Sequence, residues 1–264
     1  MHQVIRGMTV AALAALVVSC GKKSGEETLA PAASALTASS ASTTSGTWHF
    51  NIDPKGSSQV DMPGLKEHIK GETTGAAGSL DVVASDLSQS RGLVRIDLAT
   101  FSTHTFGDSE KDATQTKHAR TWLEAVVDDK TDESMRWAEF AIRSIDGVSA
   151  PDWRALPPVR DGNDDVRTVT MTVHGELLVH GHKLPKDDVV DVSLRTPAGS
   201  MAASKPAKIE VKSKQPMRVI LKEHDVAPRD PAGKLLAWST SLISKVADTA
   251  DVTVAISATP APAP

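Results

Sequence analysis

The chain of 264 residues has no tyrosine, four phenylalanines and a single cysteine, Cys20. One cysteine excludes an intramolecular disulfide in any compartment. The sequence also lacks a Gly-x-Ser-x-Gly elbow and a glycine-rich phosphate loop, which removes the usual signatures of serine hydrolases and nucleotide-binding enzymes. Its 29 Lys and Arg are scattered among 33 Asp and Glu, so no basic patch indicates a nucleic-acid partner. We therefore expect neither an enzyme nor a nucleic-acid-binding protein, and no cofactor.

The N-terminal region lacks an apolar run long enough to cross a membrane. Residues 8–18 form a run of about eleven residues, whereas a spanning helix needs about twenty. With a basic start at His2 and Arg6, this run is typical of a signal peptide, which we predict at residues 1–19. The following stretch, VVSCG at 17–21, resembles the bacterial lipobox. The resemblance implies that Cys20 is acylated and anchors the mature protein to the membrane. The glycine after Cys20 favours the outer membrane, with the domain facing the periplasm.

Composition then divides the chain. Residues 20–46 are almost wholly Ala, Ser, Thr, Gly, Lys and Glu, and such a segment buries too little apolar surface to repay its ordering entropy. We predict a lipid anchor and disordered tether at 20–46, one folded domain at 47–258, and a disordered Pro/Ala tail at 259–264. The sequence carries no signal for oligomeric state.

Alternating apolar and polar residues dominate the predicted domain. In several runs every second residue is apolar, so that one face of the chain is apolar, which indicates half-buried strands. Gly181 and Pro185 separate the run ending at Val179 from the next, and they predict a hairpin with a loop of four to nine residues. Eight or more such strands predict an all-β fold with a closed or nearly closed antiparallel sheet. The residues predicted to face inward and line a ligand site are Trp48, Phe50, Ile52, Leu80, Val82, Val94, Ile96, Leu98, Phe140, Ile142, Met171, Val173, Leu177, Val190 and Val192.

Three segments interrupt the strand pattern. Residues 114–127, with Asp112 as a candidate N-cap, and residues 231–247 each carry an apolar stripe with helical spacing. Residues 150–165 contain three prolines, an Asp-Gly pair and four acidic residues, which predict a solvated loop with an exposed Trp153.

Four stretches, in this order, resemble the YceI-like family of exported lipid-binding proteins. They are WHFNID at 48–53, LVRIDLATFST at 93–103, ARTWLEA at 119–125 with WAEF at 137–140, and HGELLVHGHKLP at 174–185. The resemblance implies an antiparallel lipocalin-like β-barrel with one or two short helices. It also implies non-enzymatic binding or transport of a polyisoprenoid or similar amphipathic lipid inside that barrel.

The residues alone leave a different interior open. Barrels of about eight strands either just fill with side chains or hold one small ligand. The alternative is therefore a structural or envelope-stress interaction lipoprotein with a filled core and no ligand. If a lipid is bound, Arg218 and Lys222 are candidate cations for a pyrophosphate or quinone head.

A histidine-rich stretch raises the question of a metal. His174, Glu176, His180 and His182 share parity along one strand, and two or three imidazoles with a carboxylate can bind zinc. Their parity is opposite to that of the apolar residues, which places them on the outer face of the barrel. Polar side chains are expected there without a ligand, so we predict no metal site.

Overall fold

The computed structural model describes residues 35–38, 46–63, 68–230, 232–236 and 248–262. The predicted signal peptide and Cys20 lie outside these residues. No helix within them is both long and apolar enough to cross a bilayer. The described elements include the helix α1 (Ser109–Trp122) and the short 3-10 helices Leu87–Gln89, Leu98–Thr100, Trp153–Ala155 and Leu221–His224. The strands are β1 (Thr47–Ile52), β2 (Ser57–Pro63), β3 (His68–Thr74), β4 (Ala76–Val83), β5 (Arg91–Asp97), β6 (Ser102–Thr103), β7 (Val126–Val127), β8 (Lys130–Thr131), β9 (Trp137–Asp146), β10 (Val159–Asp161), β11 (Asp164–Val179), β12 (His182–Pro197), β13 (Lys208–Ser213), β14 (Met217–Ile220) and β15 (Thr249–Pro260).

The main sheet closes on itself. Its strands follow the order β1-β4-β5-β9-β11-β12-β13-β15, and β15 pairs back to β1 through Ile52 opposite Ala258. Every neighbouring pair on this path is antiparallel. Closure removes the free edges that an open sheet would expose. The predicted all-β class, an antiparallel lipocalin-like barrel with a short helix, is confirmed.

Two glycines lie in the connections between successive strands of the barrel wall. Gly56 lies between β1 and β2, and Gly75 lies between β3 and β4. A Cβ at Gly56 would lie 2.7 Å from the Cβ of Ala76, and Gly75 has a φ of +126° that disfavours other residues. The Gly75 amide donates to the Gly56 carbonyl at 2.8 Å, which joins the two connections. The β2–β3 hairpin can therefore extend the wall alongside the first half of β15.

The longest hairpin is tighter than predicted. Strands β11 and β12 pair continuously down to Val179 opposite His182, and only His180 and Gly181 form the turn. Both turn residues have positive φ, at 49° and 74°, as a type I′ turn requires. The prediction of a four- to nine-residue loop is wrong, because the stretch around Pro185 pairs with β11 instead of looping out.

The helix begins and ends earlier than predicted. Asp108 is the N-cap, since its Oδ1 accepts from the amides of Glu110 and Lys111 at 3.1 Å each. Asp112 is not the cap, and its carboxylate accepts the Phe106 amide instead. The helix ends at Trp122 because residues 126–127 enter a two-stranded hairpin with β8. In the second predicted helix, the described residues 232–236 form a turn and a bridge, and the remainder lies outside the described residues.

Two flanking segments contact the barrel. Leu36, inside the predicted tether, is only 7% exposed and packs with Ala141 and Leu178 on the outer face. Its amide donates to the buried Glu139 at 2.5 Å. The rest of the tether lies outside the described residues, so its disorder stays a prediction. At the other end, β15 continues two residues past the predicted domain end at 258.

The 150–165 segment contributes a core residue. Trp153 is 1% exposed and donates from its indole nitrogen to the Ala84 carbonyl at 3.1 Å. Its ring meets Trp48 edge-on, with centroids 6.2 Å apart, and the fully buried Phe50 belongs to the same core cluster. The prediction of an exposed Trp153 is wrong, because a large apolar ring with one polar atom can be buried once that atom has a partner. Trp153 therefore packs beside the start of β1, as part of the barrel core.

Candidate functional site

The barrel encloses a cavity of about 880 Å³. This volume lies within the range of roughly 300–1,000 Å³ that is typical of small-molecule sites. Strands from β2 to β15 supply the wall, and most of its side chains are aliphatic. Helix α1 covers part of the cavity with Glu110, Lys111, Thr114, Gln115, His118, Ala119 and Trp122. The cavity is thus lined by strands from most of the barrel and by one face of α1.

Most of the residues predicted to line a ligand site do line this cavity. Trp48, Phe50 and Ile52 do not, although Val82 and Leu80, which pair with Trp48 and Phe50, do. The three β1 side chains belong to the barrel core instead, where Trp48 meets Trp153 edge-on. The predicted residues on the cavity wall are Leu80, Val82, Val94, Ile96, Leu98, Phe140, Ile142, Met171, Val173, Leu177, Val190 and Val192.

Sequence reasoning missed a second group of lining residues. The alternation in β15 was visible in the sequence but was not assigned to the site, whereas β2 is short of apolar residues and ends at Pro63. The stripe of α1 was also visible, but periodicity does not reveal what a helix covers. The main missed residues are Val60, Met62, Ile69, Ala119, Trp122, Leu123, Val211, Val219, Val252, Val254 and Ile256.

Apolar side chains make up most of the cavity wall, and some of the polar groups in it pair with one another. Ser58 and Thr73 share a hydrogen bond of 2.8 Å between their hydroxyls. Asp188 is different: its Oδ2 accepts from the Ser213 hydroxyl at 2.7 Å, while its Oδ1 is buried without a partner in the part of the chain that the structure describes. Burial raises the pKa of the Asp188 carboxyl above its usual value, and the bond from Ser213 only partly offsets that shift.

The cations suggested for a lipid head lie elsewhere. Arg218 points outward and forms an ion pair with Asp251 at 2.9 Å, while its strand neighbours Met217 and Val219 line the cavity. Lys222 is exposed on the short helix after β14 and does not line the cavity. The hypothesis that these two residues meet the head is wrong, because neither one faces the interior.

The four residues considered for a metal are not brought together as one site. His174 lies on the outer face between Asp187 and Asp146, and hydrogen bonds to Asp187 and then Asp146 raise its pKa. Glu176 forms ion pairs with Arg143 and Lys183 on the same face. His180 departs from the predicted outer position, because it occupies the turn after β11 and is buried there.

Buried polar contacts join this turn to two other segments. The His180 side chain is 3% exposed, and its Nε2 lies 2.6 Å from Glu124, just beyond the end of α1. Arg229 contacts Glu124 at 3.2 Å and Asp225 at 3.0 Å. Glu124, His180 and Asp225 all have positive φ near 50°, a strained conformation for residues other than glycine. We name Glu124, His180, Asp225 and Arg229 the polar latch, because it ties α1 to the β11–β12 turn and to the segment after β14.

The polar latch adjoins a possible ligand set for a metal ion. Ligand atoms of His180, His182 and Asp225 all lie within 4.8 Å of one another. The Nδ1 of His180 also faces the His224 carbonyl at 3.1 Å, so both of its ring nitrogens already contact oxygen acceptors. A metal would have to displace one of these bonds. The expectation of no metal site stays a prediction.

No family model and no curated protein matches the sequence. Two solved structures are similar to this chain: a polyisoprenoid binding domain from Saccharophagus degradans implicated in plant cell wall breakdown, and BcnA from Burkholderia cenocepacia. They are 11% and 15% identical to this chain, and the TM-score is 0.46 for both. The matches cover 80% and 79% of this chain, and 98% and 99% of theirs. These are distant likenesses of fold, and the motifs of the chain resemble the YceI-like family.

Proposed function

We propose that this protein binds one polyisoprenoid, or a similarly long amphipathic lipid, inside its barrel and catalyses no reaction on it. The observation that carries the proposal is the cavity of about 880 Å³ with an almost wholly aliphatic wall. A wall of this kind offers many apolar contacts and few hydrogen bonds. It therefore favours a ligand with a long hydrocarbon part over a sugar, a peptide or a nucleotide.

The size of the cavity argues against a structural role with a filled core. The side chains of the barrel leave a volume of about 880 Å³ between them, whereas a filled core has few voids larger than a water molecule. An apolar wall favours a lipid over water in this volume, because water finds few hydrogen-bond partners there.

Burial of the hydrocarbon supplies the affinity. Each Å² of apolar surface removed from water contributes about 25 cal/mol, so partial burial of a long chain already gives several kcal/mol before ordering costs. The few polar groups in the wall would then distinguish between head groups.

The proposed setting is the bacterial envelope. The run at 8–18 and the lipobox-like VVSCG at 17–21 support export, acylation of Cys20 and attachment to the outer membrane on its periplasmic side. Segment 20–46 would give the barrel reach from that anchor.

Lipid recovery tests the binding proposal. The chain is produced in a bacterial envelope, purified without added lipid, and extracted with organic solvent for mass spectrometry. A stoichiometric isoprenoid or other long-chain lipid is expected. Repeated recovery of stable protein with no bound lipid, which also fails to take up added lipid, would contradict the proposal.

Anchoring has a separate test. Cys20→Ser should move the protein from the membrane fraction to the soluble fraction and remove the mass added by acylation. Ser19→Ala, which keeps a small residue before the cysteine, is the matched control and should stay in the membrane fraction. Membrane association that survives Cys20→Ser would exclude acylation as the anchor while leaving lipid binding in the barrel untouched.

A further inference from the structure

One acidic side chain interrupts the aliphatic wall of the cavity. Asp188 lies on β12, directly opposite Val173 on β11 and two residues before Val190. Both valines line the cavity, and so does Asp188, because successive inward positions on a strand differ by two residues. On β11 the lining residues run from Met171 to Val179, and Asp188 lies opposite this stretch, so its side chain faces the cavity.

One of the two carboxylate oxygens of Asp188 lacks a hydrogen-bond donor. Ser213 donates its hydroxyl proton to Oδ2, and the Ser213 oxygen accepts the Val254 amide at 3.0 Å, so this serine has no further proton to give. The Val189 amide also hydrogen-bonds the carboxylate, whereas Oδ1 is buried and has no partner among the described residues. The nearby Lys214 is directed to Asp191 and Thr170, with its Nζ 3.8 and 3.3 Å from their oxygens. Asp188 thus presents an acceptor to the cavity, and no described cation neutralises it.

Helix α1 presents a second open acceptor. Gln115 lines the same cavity, and its Oε1 is likewise buried without a partner among the described residues. A glutamine amide can turn to present either its oxygen or its nitrogen. The carboxylate of Asp188 has no such choice while it is ionised, because it can only accept hydrogen bonds.

We infer that Asp188 accepts a hydrogen bond from the polar head of the bound lipid, so that the cavity selects an isoprenoid whose head is a hydrogen-bond donor. This inference rests on the proposed lipid binding and specifies its ligand class. A hydroxyl group would satisfy the open Oδ1, whereas an ether oxygen would leave it unsatisfied. A phosphate or pyrophosphate head would place negative charge beside the carboxylate, which is unfavourable in a cavity of low polarity.

The inference is tested with two probes that differ only in whether the head oxygen carries a proton or a methyl group. The full chain is freed of copurified lipid and titrated with geranylgeraniol, with geranylgeranyl methyl ether and with geranylgeranyl pyrophosphate. Binding is followed by the change in intrinsic tryptophan fluorescence, because one of the five tryptophans, Trp122, lines the cavity. The alcohol should bind about tenfold more tightly than the ether, the ratio expected for one hydrogen bond to a buried acceptor. The pyrophosphate should bind more weakly than the alcohol.

Variants assign the preference to one side chain. Asp188→Leu should bring the alcohol and the ether to equal affinity. Asp187→Leu, which removes the adjacent outward-facing carboxylate, should keep the preference of the unaltered protein. The comparison of alcohol with ether in the unaltered protein needs no variant, so equal binding of the two probes overturns the inference even if Asp188→Leu fails to fold.

The outcomes separate this inference from the proposed function. Equal binding of alcohol and ether, or tighter binding of the pyrophosphate, would overturn the role of Asp188 while leaving lipid binding intact. A preference for the alcohol that persists in Asp188→Leu would also overturn it. Failure of all three probes to bind would remove both the inference and the polyisoprenoid ligand on which it rests.

Discussion

Replacing Val173 by tryptophan places a large ring at the middle of the cavity wall. Val173 is buried, lines the cavity and faces Asp188 across the β11–β12 pair. The added ring can extend into the hollow space instead of displacing neighbouring side chains. Overpacking a filled core costs about 1–3 kcal/mol. Because space is available, we expect Val173→Trp to lower stability by less than about 1 kcal/mol, which is a fall in Tm of no more than about 4 °C for a domain of this size.

The same ring should impair lipid binding strongly. Tryptophan adds about seven non-hydrogen atoms to valine, and a bound lipid loses contact for a similar number of atoms. At about 0.3 kcal/mol per atom, the loss is about 2 kcal/mol, or roughly thirtyfold in Kd. Thermal unfolding measures the first quantity, and titration with geranylgeraniol measures the second.

Lys212→Trp is the matched control for this experiment. Lys212 is exposed on β13, between the lining residues Val211 and Ser213, so the same ring is added to the outer face. This control should bind lipid normally. The cavity argument would be refuted if Val173→Trp bound lipid as well as Lys212→Trp did, or if it lost several kcal/mol of stability as a filled core would.

Three further changes test other parts of the structure. Burial raises the pKa of Asp188 above its usual 3.8, so the ionised form opposes folding and the protein loses stability as pH rises through 3.8 towards the raised value. Asp188→Asn should therefore be more stable than the unaltered protein at pH 7 and should lose this advantage below pH 3.8; urea unfolding that shows a constant difference would contradict it. His180→Ala should cost about 1–3 kcal/mol in urea unfolding, since Glu124 loses its buried partner, whereas His182→Ala should cost less; equal costs would count against the polar latch. Trp153→Ala should lower stability by about 3–5 kcal/mol while leaving lipid affinity unchanged, because Trp153 packs in the core and does not line the cavity; a parallel loss of affinity would contradict this separation of Trp153 from the ligand site.

The alternation of residues predicts direction well. In β11, Met171, Val173, Leu177 and Val179 were expected to face inward, and all four line the cavity. The period of two is a local property of an extended chain, so it survives whatever the rest of the fold does. The same signal in β1 predicts that Trp48 and Phe50 face inward, but it contains no information about whether they line a cavity or pack in the core. Trp48 packs edge-on against Trp153, about a hundred positions later in the chain, and Phe50 belongs to the same core cluster. Only tertiary contact brings these residues together.

The turn between β11 and β12 shows a second limit. Gly181 and Pro185 indicate a loop in the sequence, whereas the structure continues the β11–β12 pairing through Pro185. Asp188 therefore had no assigned face, although it carries the open acceptor of the cavity. His180 was expected on the outer face by parity, whereas the positive φ of the turn redirects it towards Glu124.

The local alternation of apolar and polar residues was enough to predict the strands, their apolar and polar faces and the all-β class. Each of these depends on neighbours two to four positions apart. Other features depend instead on which distant side chains meet when the sheet closes. These features are the cavity, the buried position of Trp153 and the unpaired Asp188 oxygen. A void is the volume that all the surrounding residues together fail to occupy, so no single stretch of sequence encodes it.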